Sequence, residues 1–450
     1  MKYLKDWLER LKSRPASGDY WEDHRHHEAL QALAACNGEG DWLSLGSHRN
    51  GFVREAAVRA LSEQPSPAAL ATLLERTNDW VAQVRKLASA GVQRYLTPEH
   101  TSALLHALPQ LMALAERQRA DHARTLAAAR TALQASEVRS EVVTDFLARR
   151  GKAARFLFAV LHEASPEPAA LLQMALTHRE MTVRQMAVSA CRNLPVEQAV
   201  PLLLHALATP GASVRVKALH ALLTRLDDPR DRLRDALLDA SPAVRNLARW
   251  AAPRWQIDAH EVLQARLERA LPKHKREWLG VLGLANDLEV TLDQPWRSAA
   301  LGSAMSSVRL AALVNLGDAH YGDLLTMLDD PSDKVFSQAV EGLDRQPWAM
   351  LAPELDARLD RDWYLLPATR RTALMRLRPC WQQLAYLLRR LDMANEDRNT
   401  WLDLIAQRCG RRYLMPDSST AKTEQAHLIE RVRELENNGA LPRGCAANLS

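Results

Sequence analysis

Apolar and polar positions along most of this chain follow a helical period, and one apolar phrase keeps returning. It is Val-Arg, with Ala four residues after the Val and usually an aliphatic residue four further on. It reads Val53-Arg54 with Ala57 and Leu61, Val84-Arg85 with Ala88, Val183-Arg184 with Ala187, Val214-Arg215 with Ala218 and Leu222, and Val244-Arg245 with Ala248. Later copies are Val308-Arg309 with Ala312 and Leu316, and Val335 with Ala339 and Leu343. Residues four and eight apart share one face of an α-helix, so Val, Ala and Leu make an apolar stripe. The Ala suits a place where two helices cross too closely for a longer side chain, and it is the best helix former.

The Val positions lie 31, 99, 31, 30, 64 and 27 residues apart, so the long gaps read as about three and two units. Weaker copies fill them: Ala123-Arg124 with Ala127, Ala154-Arg155, Lys275-Arg276, and Thr369-Arg370 with Ala373. The spacings then become 31, 39, 31, 29, 31, 30, 31, 33, 27 and 34. A fixed period near 31 residues marks a stacked repeat array of about eleven units, with room for a degenerate one at each end. Five residues before the Val stands a short polar residue, Asp79, Thr209, Asp239, Ser303 or Asp330, in the place expected of an N-cap. Pro210 and Pro331 follow at an expected first helical position. A second apolar segment lies upstream, as in Ala199 to Leu207 and Leu233 to Leu238, so each unit reads as helix, turn, helix.

These residues resemble the HEAT repeats, in the short bacterial form also found in phycobilisome-lyase-like proteins. The shared pattern is complete at Asp79/Val84/Arg85/Ala88 and Asp239/Val244/Arg245/Ala248, and partial at Asp330/Val335/Ala339, where Phe336 replaces Arg. The resemblance covers roughly residues 20 to 410. It implies an all-α fold, a right-handed α-α superhelix (HEAT-like solenoid) of about 11–13 helical-hairpin repeats. In that family Asp and Arg side chains of successive repeats tie the stack together, and here His48 and His178 occupy the Asp position in two units. Expected divisions are 1–46 for capping helices and a degenerate first repeat, 47–410 for the solenoid, and 411–450 for a polar extension with one helix and a mobile tail.

Composition narrows the function classes. No run of 18 apolar residues supports a transmembrane helix, and the start of the chain lacks the apolar core of a signal peptide. Five scattered cysteines with no C-x-x-C pair fit reduced thiols, so the expected location is the cytoplasm. Phosphate-binding glycine motifs and the G-x-S-x-G elbow are both missing. The expectation is therefore a protein without catalysis, cofactor, metal or membrane contact.

Candidate binding features remain. The recurrent Arg54, Arg85, Arg184, Arg215, Arg245 and Arg309 either line a phosphate-tracking groove or bond the Asp or a carbonyl of an adjacent repeat, and the second reading carries more weight. His24 and His27 could share a helix face and take a metal, yet two ligands are too few for a strong site, and a solvated first turn is favoured. Trp250 and Trp255 beside Arg249 and Arg254, and Trp363 and Tyr364 beside Arg361, could form stacking surfaces or core.

The strongest local asymmetry runs from 361 to 390, where Arg361, Arg370, Arg371, Arg376, Arg378, Arg389 and Arg390 face one acid, Asp362. Because Arg is rarely buried unpaired, these side chains are expected as one exposed partner-binding patch. A second basic excess runs from Arg245 to Arg276, partly offset by acids. The leading expectation is a scaffold that binds a protein on the solenoid surface. The alternatives are nucleic-acid binding, as in HEAT-like alkylpurine DNA glycosylases with their basic, aromatic concave face, and an auxiliary lyase-like modification factor.

Overall fold

The computed structural model describes residues 2–15, 18–34, 36, 38–316, 320–394, 397–410 and 419–449. Among the described residues there are 28 α-helices and no strand. From Glu39 to Cys409 the helices follow one another as first and second members of twelve successive pairs. The first member of the third pair is broken into Thr101–His106 and Leu108–Ala113, with Pro109 early in the second piece. Proline lacks the N–H that would continue the helix.

In all seven strong copies the Val is the third residue of its helix, from Gly51–Glu63 and Ala82–Gln93 to Asp333–Leu343. The small stripe is buried as expected: Ala57, Ala88, Ala187, Ala218, Ala248 and Ala339 are 0% exposed, and Ala312 is 3% exposed. Three of the weaker copies are out of phase. Ala127 is exposed, and the stripe of the helix Ala123–Gln134 is Ala129 and Leu133. Lys275 and Arg276 are both exposed, and Val281 and Ala285 take the inner face. In Ala368–Arg376 the buried residue is Leu374, beside half-buried Ala373. In two of them a charged or polar residue, Lys275 or Thr369, stands at the Val position and cannot be buried cheaply, so aliphatic residues elsewhere on the helix face inward; at Ala123 the small side chain gives little to bury, and Ala129 and Leu133 take the inner face. Ala154 stays in phase, with Phe158 buried at the Ala position.

The short polar residue five before the Val is not the N-cap. The N-caps are Val81, Gly211, Ser241, Met305 and Ser332, two residues further on, and Pro210 and Pro331 lie in the turn rather than at the first helical position. The polar side chain instead accepts from the backbone N–H two residues ahead: Asp79 from Val81 (2.9 Å), Asp239 from Ser241 (2.7 Å), Asp330 from Ser332 (2.8 Å) and Ser303 from Met305 (3.2 Å). This Asx-type turn sets the angle between paired helices. His48 and His178 reproduce it with Nδ1, accepting from Asn50 (3.1 Å) and Glu180 (3.0 Å).

The chain gathers into two compact units, Met1–Pro229 and Arg230–Ser450. In the first, one apolar core runs unbroken from Val58 to Leu222, and a smaller one joins Leu11, Ala29 and Leu33 to Val53, Ala56 and Ala60. In the second, helices approach so closely that a Cβ on Gly280 would sit 2.0 Å from the carbonyl oxygen of Leu238.

The beginning of the expected polar extension, 411–418, lies outside the described residues. Its helix is present as Lys422–Asn437. The tail after it is packed rather than loose: Leu441, Cys445, Ala446 and Leu449 are buried, and the Glu436 carboxylate accepts the backbone N–H groups of Gly444 (2.6 Å) and Ala446 (3.0 Å). Four apolar side chains and one carboxylate hold a segment whose glycines and proline suggested mobility. No helix among the described residues is long and apolar enough to cross a membrane.

Candidate interaction surface

The recurrent arginine begins at the third-plus-one position of its helix, where it faces the preceding turn. It donates to the carbonyl six residues back: Arg54 to His48 (2.8 Å), Arg85 to Asp79 (2.6 Å), Arg245 to Asp239 (2.9 Å) and Arg309 to Ser303 (2.7 Å). In Arg54, Arg184, Arg245 and Arg309 the guanidinium also reaches the next repeat, whereas Arg85 bonds on its own turn, at the carbonyls of Asp79 and Trp80. Arg54 Nε and Nη2 each donate to Asp79 at 2.8 Å, with both side chains almost wholly buried. Arg309 repeats the two-point contact on Asp330 at 2.5 and 2.8 Å. Burial would raise the Asp79 carboxyl, but hydrogen bonds from Arg54 and the Val81 N–H outweigh it and hold the group below the usual carboxylate range. The Arg309 bonds lower Asp330 in the same way. Two-point Arg–carboxylate contacts are among the stronger hydrogen bonds available to a protein. These guanidinium groups join repeats, and no phosphate-tracking groove is made from them.

Where Phe336 replaces the arginine, the vacated carbonyl is taken from the following repeat. Arg370 Nη1 donates to Asp330 O at 2.8 Å, Nη2 reaches Asp333 at 2.8 Å, and the guanidinium lies 4.6 Å over the Phe336 ring. This compensation explains one member of the 361–390 cluster, and the others divide sharply. Arg378 is 3% exposed, paired with Asp356 and set between the rings of Trp348 and Tyr386. Arg389 and Arg390 both bond Asp360, at 2.8 and 3.1 Å. Burial opposes ionisation of Asp360, yet those two arginines hold its carboxyl below the usual range. Arg371 donates to Trp363 O at 2.8 Å. Only Arg361, paired with Asp362 at 2.7 Å, and Arg376 are well exposed, with Arg389 in part. The expected single patch is not formed. Its counter-charges, Asp333, Asp356 and Asp360, stand just ahead of the basic window, and folding brings them back onto it.

The aromatic candidates also split. Trp363 is buried against Trp401, with ring centroids 4.7 Å apart, and Trp255 is half-buried. Trp250 is 57% exposed under the Arg254 guanidinium, 3.9 Å from its ring centre, and Tyr364 is equally exposed at 57%. His24 stacks on Tyr20 and His27 meets Gln31 at 2.9 Å, and no metal-sized cluster of His, Cys, Asp or Glu occurs among the described residues. Burial pushes the thiols of Cys191 and Cys409 up to about 11 and about 12, which leaves them protonated and unreactive at neutral pH.

One corner was not anticipated. The turn Asn78–Trp80 meets the loop 117–122, and a cavity of about 490 Å³ opens between them, walled by Arg76, Asp79, Trp80, Arg117 and Arg119. Buried Asn78 fixes the loop: its Oδ1 accepts the Arg119 backbone N–H at 3.0 Å. Trp80 is 66% exposed, with the Arg54 guanidinium 5.3 Å from its ring centre. A signal for this corner did exist. The unit from Val84 to the next copy is the longest, at 39 residues, and the surplus is the loop that carries Arg117 and Arg119.

The repeated helix pair, its buried alanine and the Arg–Asp tie across repeats define an α-solenoid repeat. The family model described as PBS lyase HEAT-like repeat matches residues 53–79, the stretch that holds Arg54 and Asp79. Residues 53–79 thus carry a HEAT-like repeat, and the helix pair that builds it recurs along the chain. No curated protein matches it in sequence. Among solved structures it is similar to a chain from the complex in which Kap95p binding induces the switch loops of RanGDP to adopt the GTP-bound conformation, at 10% identity and a TM-score of 0.34, covering 99% of this chain and 65% of that one. It is also similar to importin beta crystallised in ammonium sulfate, at 14% identity and a TM-score of 0.29, covering 96% of this chain and 65% of that one. The chain thus spans a little under two thirds of either relative.

Proposed function

We propose that this protein is a non-enzymatic scaffold that binds a protein partner on the exposed faces of its repeats. The observation that carries the reading is how the cationic and aromatic side chains are divided. The arginines that recur along the chain, and most of those in 361–390, are held in ion pairs and carbonyl contacts. Among the side chains left open are Tyr20, Trp21, Trp80, Trp250 and Tyr364, with Arg254, Arg117 and Arg119 nearby or in separate corners. Exposed Trp, Tyr and Arg are the residue types that dominate protein interfaces. A phosphate track needs a continuous run of free cations, and the described arginines do not supply one.

The test is capture of partners by the immobilised full chain, with and without nuclease, followed by reconstitution with the purified candidate. The reading expects a protein retained after nuclease that rebinds in isolation. Recovery of nucleic acid alone, with affinity falling by about 0.9 log unit per log unit of salt for each phosphate contact, would overturn it.

A further inference from the structure

The corner between Asn78–Trp80 and the loop 117–122 is a built recess rather than an incidental gap. Its floor is the tie between two repeats, Arg54 on Asp79. Asp79 accepts at once from Arg54, from Arg76 Nη1 (3.2 Å) and from the Val81 N–H (2.9 Å), so its carboxylate is fully engaged by protein donors. The Nε of Arg76 is buried there without a hydrogen-bond partner. Above it stand Arg117 and Arg119, both exposed, on a loop that the Asn78 side chain pins in place. Trp80 supplies a wall, one side of its ring covered by Arg54 and the rest open. The lining carries three arginines against Asp79, which Arg54 already neutralises, and Glu75. Its field is positive.

A second recess of about 210 Å³ shares Glu75, Asn78 and Arg117 with the first, and its remaining walls include Leu74, Pro109, Ala113 and Leu114. A cationic pocket and one walled in half by apolar side chains therefore adjoin, sharing Glu75, Asn78 and Arg117. Both depend on the two irregularities of this repeat, the break at Pro109 and the surplus loop. Insertions in a repeat array map to loops and often to the binding face.

We infer that this corner binds an acidic segment of a partner protein, placing a carboxylate between Arg117 and Arg119 against Trp80 and a neighbouring aliphatic side chain in the recess beside Pro109. The inference rests on the scaffold reading and gives that scaffold a docking point. Arg offers a carboxylate two parallel donors, and Trp is among the residue types enriched at interface hot spots. A nucleic acid fits less well: three arginines around one recess hold one or two anionic groups, and a phosphodiester has no use for an aliphatic pocket.

The experiment titrates the full chain into a fluorescein-labelled peptide of alternating Glu-Glu and Leu, and in parallel into a Lys-Lys and Leu peptide and an oligothymidylate. Binding should favour the acidic peptide and weaken at raised salt. Trp80→Ala, and Arg117→Ala with Arg119→Ala, should each weaken it by about tenfold or more. Arg361→Ala with Arg376→Ala, which removes two exposed arginines elsewhere, should leave it unchanged. Absence of acidic-peptide binding, or binding indifferent to the corner variants, overturns the site. Tighter binding of oligothymidylate through the same residues overturns the ligand class. A partner captured equally by wild type and by Arg117→Glu with Arg119→Glu sinks the docking point alone. A wild type that retains no protein sinks the scaffold reading beneath it.

Discussion

The segment 356–390 and the corner at 75–119 hold the same side chains put to opposite ends. The first is crowded with arginine in sequence, yet folding lays Asp333, Asp356 and Asp360 across it and little free charge remains. The second is unremarkable in sequence, with its cations some forty residues apart, yet folding brings Arg76, Arg117 and Arg119 to one recess and leaves two of them exposed. Local charge density therefore says little about surface charge in a repeat array. What decides it is which residues lie one repeat away, because each repeat contacts its neighbours.

The comparison breaks most readily at Asp79. Asp79→Ala leaves the Arg54 guanidinium buried without its counter-ion, and should cost about 3–5 kcal/mol in urea unfolding. A loss below about 1 kcal/mol would show that the tie beneath the corner is dispensable. Next is charge reversal of Arg370, Arg371, Arg389 and Arg390 to Glu. On charge counting alone this variant should fold nearly intact. The ion pairs with Asp333 and Asp360 now predict a destabilised protein, by about 2–4 kcal/mol after allowing for the partial exposure of these pairs. A wild-type melt would return these side chains to solvent.

Acid sharpens the same contrast. Asp79, Asp330 and Asp360 have carboxyl groups lowered in the folded state, so they bind protons less readily folded than unfolded. Their stabilisation is therefore fully present above the unfolded carboxylate value, about pH 4, and is lost as pH falls through the lower folded values. Urea midpoints measured from pH 7 down to about pH 3 should drop less steeply for Asp79→Ala than for wild type. Parallel curves would mean that Asp79 is not part of the acid response. The smallest effect belongs to Arg117→Ala with Arg119→Ala, which should melt within about 0.5 kcal/mol of wild type, in keeping with a surface kept for binding.

Much of the fold was legible because burial writes itself into sequence as a period. The Val, Ala and Leu positions that must face inward recur, and seven copies sit at one place in their helices. Three of the four weaker copies read out of phase because Arg124, Arg276 and Arg370 mimic the phrase while the inward face belongs to Ala129, Val281 and Leu374. The polar residue five before the Val was visible, but its role was not: an Asx turn and an N-cap use the same side chains two residues apart. The partners of 361–390 and the corner at Trp80 were hidden for a different reason. Contacts between residues 29 to 41 apart, such as Arg389 with Asp360 or Arg119 with Asn78, leave no mark in a local window.

The short polar residue varies from turn to turn, and that variation gives the first unit two kinds of joint. Around Asp79 the repeats are riveted by ions. Between Met181–Ala190 and Ala212–Leu223 the place is held by Thr209, and the bridging bonds are neutral acceptors: Arg184 reaches the carbonyl of Pro210, and Gln185 meets Ser213 at 2.6 Å. An ionic rivet fails when its carboxylate is titrated, whereas an amide–hydroxyl bond has no proton to gain. The stack should therefore unzip from different places under different stresses. Hydrogen exchange in acid should register first at Gly51–Glu63 and Ala82–Gln93, while Met181–Ala190 and Ala212–Leu223 keep their protection, and uniform loss across both would mean that the joints are interchangeable.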